Sequence, residues 1–236
     1  MQIIKSGERT RNSWVVALYG PPGVGKTTLA ALAPNPVLID LEDGAERVLC
    51  DRTPRINTVA EFKDVMRQFV RSEYETAIID TLDMLEQLVF KDVLESCNWK
   101  SIEQPGYGKG YEVARERWVD LLKVFDGCVQ RGKNILCTCH DQIRTYTTPD
   151  TDSYERYDLK LHKKVSALIM ARMDAVLFCQ KEMVLVRDRV KEDRLIGKGT
   201  GNRVLRTTET PAWIAKNRFN LPDTMPMTGD IYKLFT

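Results

Sequence analysis

No stretch of the 236 residues approaches the ~20 consecutive apolar residues of a membrane-spanning helix. The opening Met1–Arg9 has no apolar core of a secretory signal. Both absences set the expectation of a chain that works in the cytoplasm without membrane contact. Paired cysteine motifs are lacking too. Cys50, Cys97, Cys128, Cys137, Cys139 and Cys179 mostly fall in apolar helix or strand patterns, as free thiols in a reducing compartment do. Cys137-Thr138-Cys139-His140 has no second Cys/His pair nearby. On a strand its two thiols share one face, which reads as core rather than zinc. Net charge is scarce, with 35 Lys and Arg against 33 Asp and Glu. A nucleic-acid binder of this balance needs its cations gathered on one face. Internal repeats and low-complexity segments are missing, which argues against a solenoid. What remains is 43% hydrophobic and 29% charged, enough for one domain with a core. We read 1–13 as a lead-in, with Ile3 and Ile4 at a sheet edge, 14–222 as the core, and 223–236 as a C-terminal tail.

The chain is organised around Gly20-Pro21-Pro22-Gly23-Val24-Gly25-Lys26-Thr27, followed by Thr28. It fits G-x-x-x-x-G-K-[ST] between an apolar strand, Trp14–Tyr19, and a helical stretch, Lys26–Ala33, stopped by Pro34. Its glycines let backbone N–H groups wrap phosphate as an anion nest. Lys26 is expected to reach the β- and γ-phosphates of ATP, and the Thr27 hydroxyl to bind Mg²⁺.

Further strands are expected at Pro36–Glu42, Thr76–Asp80, Asn134–His140 and Asp174–Cys179. Between them lie helical patterns. One is opened by a Thr58/Glu61 capping box and carries Phe62, Val65, Met66, Phe69 and Val70. Another runs from Leu82 to about Cys97, a third carries Val113 to Phe125, and a fourth covers Leu161–Met173. Asn98–Gly110 reads as a Gly/Pro-rich loop, mobile by composition. Residues 141–160 read as a polar stretch with a turn at Thr147–Ser153. Met183–Arg187 and Arg203–Thr207 read as a late antiparallel pair, with a charged, Gly-rich segment between them. Alternating strands and helices predict a mostly parallel α/β sheet with helices on both faces, and ligands in such sheets bind at the carboxyl ends of the strands.

Those ends carry polar residues. Asp80 is placed to hold Mg²⁺ opposite Thr27, with a helix N-cap as the rival role and Thr81 as the alternative cap. Glu42 is the candidate base for the attacking water, with Asp40 and Asp43 as alternatives should the register differ. His140 is placed to hydrogen-bond the γ-phosphate or the water and report hydrolysis to the loop that follows. Lys216 and Arg218, at i and i+2, point the same way if extended, and can reach a neighbouring subunit's triphosphate as an arginine finger in trans does.

Taken together, these residues resemble the RecA-like ATPases. Val37–Gly44 looks like the strand-plus-glutamate of the DnaB, KaiC and RadA branches, and Lys216-Asn217-Arg218 like their K-x-R finger. With Gly106–Tyr111 and Lys216–Pro222, the chain resembles the phage-encoded, AAA-type, RecA-core proteins, some of which are single-strand annealing recombinases. The resemblance covers most of 14–222. It implies sheet order 5-1-4-3-2, ATP hydrolysis between subunits of a homo-oligomeric ring or filament, single-stranded DNA bound by loops, and a single-strand binding protein as accessory partner. Tyr107, Lys109 and Tyr111 in one loop and Arg144, Tyr146 and Arg156 in the other interleave cations with aromatics, which suits phosphate contact and base stacking. Other readings are a helicase or helicase-loader motor, a small-molecule kinase whose Arg-rich lid would be the basic segment Arg187–Arg206, and a nucleotide-gated binding module with little turnover.

Overall fold

A computed structural model describes residues 13–44, 47–149, 151–187 and 195–235. The expected lead-in with Ile3 and Ile4 (Ser13 apart) and part of the charged late segment lie outside them. The strands are β1 (Val15–Gly20), β2 (Pro36–Asp40), β3 (Asp51–Arg52), β4 (Thr76–Asp80), β5 (Asn134–Thr148), β6 (Thr151–Leu159), β7 (Ala175–Arg187), β8 (Leu195–Arg206), β9 (Lys216–Asn217) and β10 (Thr224–Pro226). The helices are α1 (Lys26–Ala30), α2 (Val59–Arg71), α3 (Leu82–Cys97), α4 (Lys109–Val129) and α5 (Lys163–Arg172), with a short 3-10 helix at Gly229–Leu234.

β7, β1, β5, β4, β2 and β3 lie side by side and all run parallel. Counting the five expected strands in chain order, this is 5-1-4-3-2, as the resemblance implied. The two-residue β3 adds an edge that is too short to leave a period in the sequence. Strand periodicity divides the core in two. Val15, Ala17 and Tyr19 face a layer made by α2, α3, α4 and α5, with Phe62, Leu85, Trp118, Phe125 and Ile169 at its centre. Val16 and Leu18 face the other side, which α1 covers together with Ile231, Tyr232 and Phe235. Cys137 and Cys139 are fully buried in the first layer, and burial pushes both thiols well up.

Thr58 caps α2 through its hydroxyl, which accepts from Glu61 N at 3.1 Å, a contact worth about 1 kcal/mol. Glu61 reaches back to Asn57 N at 2.8 Å. Thr81 caps α3, accepting from Met84 N at 3.4 Å, so Asp80 is left for other work.

Three expectations need correction. The stretch 141–160 is a β-hairpin rather than a loop: β5 runs on past His140, and β6 returns beside it with Ile143 opposite Tyr157 and Tyr146 opposite Tyr154. Its distal part is exposed, so it lacks the apolar alternation that marks a half-buried strand. The Gly-rich stretch around 106–111 ends in helix, since α4 begins at Lys109. Gly110 is needed there for packing, because a Cβ would run into the Ile102 carbonyl. The late antiparallel pair has a different register: Arg203–Arg206 lie opposite Phe178–Lys181, while Met183–Arg187 lie opposite Leu195–Gly199.

Candidate active site

β1 ends where its backbone must turn sharply, at Gly20 (φ 152°), against the Cys179 carbonyl of β7, where no side chain fits. The loop that follows carries Lys26 at the start of α1. This lysine is buried, and its ammonium donates to Gly20 O at 2.8 Å and Pro21 O at 3.1 Å. Thr27 Oγ1 donates to Asp80 Oδ2 at 3.1 Å. Asp80 sits at the end of β4, one step beyond the Ile79–Cys137 pairing, where Thr138 of β5 donates to its other oxygen. Burial pushes the Asp80 carboxyl up, against the pull of the Thr138 and Thr27 hydroxyls and of Lys26. A hydroxyl and a buried carboxylate in contact are hard oxygen donors that suit Mg²⁺. Thr27 and Asp80 are therefore the residues that would hold it; when bound, the ion would neutralise phosphate charge.

The three acids after β2 separate by geometry. Asp40 is buried, accepts from Glu42 N at 3.2 Å and Asp43 N at 2.9 Å, and so shapes the turn. Asp43 pairs with Arg55 at 3.3 Å. Glu42 lines a cavity of about 490 Å³ with Gly23, Gly25, Lys26, Thr27, Asp80, His140 and, unforeseen, Arg203. Desolvation raises the Glu42 carboxyl; His140 opposes this, and Asp80 and Asp83 add to it.

His140 is held by Asp83 of α3. Its backbone N donates to Oδ1 at 3.1 Å and its Nδ1 lies 2.9 Å from Oδ2. That hydrogen bond raises the imidazole, against desolvation. Burial would raise Asp83, but the hydrogen bonds from His140 and Thr81 prevail and hold it at about 2. With Nδ1 engaged, Nε2 is the ring nitrogen left for a ligand.

A second cavity, of about 740 Å³, lies on the other side of Asp83 and is lined by Glu86, Tyr111, Arg144, Lys160, His162 and Lys163 among others. Tyr111 stacks on His162 with centroids 4.2 Å apart. Glu86, raised to about 7 by burial, accepts from His162 N with both oxygens, at 2.9 and 3.1 Å. Arg144 also lines a third cavity beside it with Tyr146 and Arg156. Four of the six expected DNA-contacting residues thus share one surface. Arg144 and Arg156 are not loop cations, however. Arg144 pairs with Asp158 at 3.1 Å. Arg156 is buried, pairs with Glu209 at 2.8 Å and lies 3.5 Å over the Tyr146 ring. Tyr107 is fully exposed on the turn before α4, and Lys109 begins that helix.

Lys216 and Arg218 lie at the opposite end of the sheet from their own phosphate loop, because β9 pairs with the first residues of β7. Lys216 Nζ donates to Met170 O at 2.6 Å and Ala171 O at 3.0 Å, and Arg218 is 3.4 Å from Asp174. Arg203 was legible only as part of a basic segment. Its place over the loop depends on the β7–β8 register, which residue spacing does not give.

Among solved structures, the RadB recombinase superposes with a TM-score of 0.51 at 13% identity, covering 93% of this chain and 89% of that one. A KaiC-like protein of Pyrococcus horikoshii gives 0.41 at 14% identity, over 85% and 87% of the two chains. A SPbeta prophage-derived protein of Bacillus subtilis (strain 168), YorG, is 24% identical over 218 residues, which are 89% of this chain and 61% of that protein. The chain therefore spans about three fifths of that relative's length. Among the described residues no helix is long and apolar enough to cross a membrane. Residues 12–219 match the family described as an AAA domain, AAA_24, and with this phosphate loop on a RecA-like sheet the chain belongs to that family of P-loop ATPases.

Proposed function

We propose that this protein is a DNA-dependent ATPase acting on single-stranded DNA in phage-type recombination or strand annealing, assembled as a homo-oligomer. The observation that carries the DNA part is the shared Asp83. One of its contacts is His140, in the nucleotide cavity, and its other side lines the cavity with Tyr111, Arg144, Lys160 and Lys163. A strand lying in that second cavity would meet a stacked aromatic pair and several cations, and would press on the helix that holds the nucleotide-side histidine. In this reading Lys26 binds phosphate, Glu42 takes a proton from the attacking water, and His140 senses the γ-phosphate. Lys216 and Arg218 serve a neighbour's nucleotide, since both are remote from their own loop. The prophage relative and the RadB-like fold support the setting.

The test is ATP turnover measured with and without single-stranded DNA. Stimulation is expected, with DNA binding that weakens steeply as salt rises. Replacing Lys109 and Lys160 with alanine should weaken DNA binding and leave ATP affinity unchanged. Turnover indifferent to DNA would sink the DNA-dependent reading, and ATP-driven unwinding of a forked duplex would move it to a helicase.

A further inference from the structure

The late hairpin bears a residue that the reading above leaves without a task. Between the pairs Lys181–Arg203 and Met183–Gly199, β7 has one residue and β8 has three, 200 to 202. This bulge, with Gly201 at φ 89°, lies immediately before Arg203. Bulges of this kind re-aim the side chains beside them. The backbone of Arg203 is fixed on both sides, facing Lys181 in β7 and accepting from Met227 N at 3.1 Å. Its guanidinium reaches across to the phosphate loop. A Cβ built on Gly25 would sit 2.7 Å from one of its terminal nitrogens, and Arg203 forms part of the wall of the nucleotide cavity. Among the described residues its side chain has no hydrogen-bond acceptor and no carboxylate partner.

We propose that Arg203 binds a phosphate of the nucleotide held by its own chain, as a second fixed cation beside Lys26. The charge in the cavity supports this. The titratable groups that line it are the acids Glu42 and Asp80 and the bases Lys26, His140 and Arg203. Arg203 adds a permanent positive charge to this wall, beside Lys26 and the backbone N–H groups of the phosphate loop. A guanidinium offers a fork of donors that matches phosphate oxygens, and a strand carries it more rigidly than a loop would. This inference rests on the nucleotide site but is independent of DNA and of the finger in trans.

The experiment measures displacement of a fluorescent ATP analogue by ATP and by inorganic triphosphate, for the full chain and for Arg203→Ala and Arg203→Lys. Arg203→Ala is expected to weaken both competitors by about tenfold or more, the scale of one charge-assisted hydrogen bond. Arg203→Lys should recover part of that loss. Unchanged thermal midpoints are expected for both variants, since the side chain is exposed. Mixing Arg203→Ala with Lys26→Ala protein should restore no ATP affinity beyond that of Arg203→Ala alone, because both lesions fall in their own chain's site. Equal affinity of wild type and Arg203→Ala overturns the proposal. A loss confined to ATP, with inorganic triphosphate unaffected, assigns Arg203 to the base and also overturns it. If wild type binds neither competitor, the nucleotide reading itself fails.

Discussion

The two ends of one parallel sheet use the same side-chain types differently. At the amino ends, polar groups close off backbone. Asn134 accepts from Trp14 N at 3.2 Å, Asp174 from Val15 N at 3.0 Å, and Ser13 donates to Val129 O at 2.8 Å. Lys216 likewise donates to the carbonyls at the end of α5. At the carboxyl ends, side chains hold one another: Thr27 and Thr138 hold Asp80, and Asp83 holds His140. A side chain paired with backbone closes off that group, and its loss leaves an orphan. A side chain paired with another can exchange that partner for a ligand, and its titration is shifted meanwhile. Lys26 is the exception at the carboxyl ends: its ammonium rests on the Gly20 and Pro21 carbonyls, contacts that a phosphate would replace.

The comparison breaks most visibly at Lys26. Lys26→Ala is expected to abolish ATP hydrolysis nearly completely while circular dichroism stays native. Wild-type phosphate release from a folded variant would remove the site. Next comes Arg218, the amino-end cation that keeps an exposed side chain beside its ion pair. Arg218→Ala should bind ATP but lose about 10³-fold in turnover, the low end for an arginine finger, and mixing with Lys26→Ala protein should restore part of it. A mixture that stays inactive although mixed assemblies form would make Arg218 a fold-keeping residue like its neighbours.

Glu42→Gln should keep ATP affinity and lose at least about 10²-fold in turnover. The raised carboxyl of Glu42 predicts that wild-type turnover falls with decreasing pH before an ordinary glutamate would protonate. A normal rate in this variant, with loss instead in Asp43→Asn, would move the base by one residue.

The smallest effect sharpens the comparison through titration. Asp83→Asn should bring the His140 pKa down toward its ordinary value, read from its imidazole resonances. The stability of the pair has two limbs. His140 is raised in the folded chain, so its contribution is complete below about pH 6.5, the ordinary histidine value, and is lost as pH rises through the folded value. Asp83 is held at about 2, so its contribution is present above about pH 4 and lost as pH falls toward that folded value. The difference in thermal midpoint between wild type and Asp83→Asn should therefore be largest from about pH 4 to 6.5. A difference independent of pH would mean that the contact is only steric.

The sheet and the phosphate loop were legible because burial on both faces turns parallel strands into continuous apolar runs, and because eight loop positions are fixed by one ligand chemistry. The sequence leaves the α3 cap open between Asp80 and Thr81, and the Thr81 hydroxyl takes it. The hairpin was not legible, since Arg144 and Tyr146 face Arg156 and Tyr154 across it, with no apolar alternation to mark either strand. Arg203 was missed for a different reason. Its position depends on a bulge of three residues against one, and no local pattern records how two strands are offset.

Tyr232 lies 203 residues from Leu29, yet its hydroxyl donates to the Leu29 carbonyl at 2.8 Å, in the layer that covers α1. On a ribosome the phosphate loop and its helix emerge early, and their cover emerges almost a whole domain later. Once β5 and β7 have emerged to flank β1, nascent chains should hold α1 against a sheet still without that cover. Competence for nucleotide would then arrive abruptly and late, when the aromatic cluster of Trp14, Tyr232 and Phe235 closes.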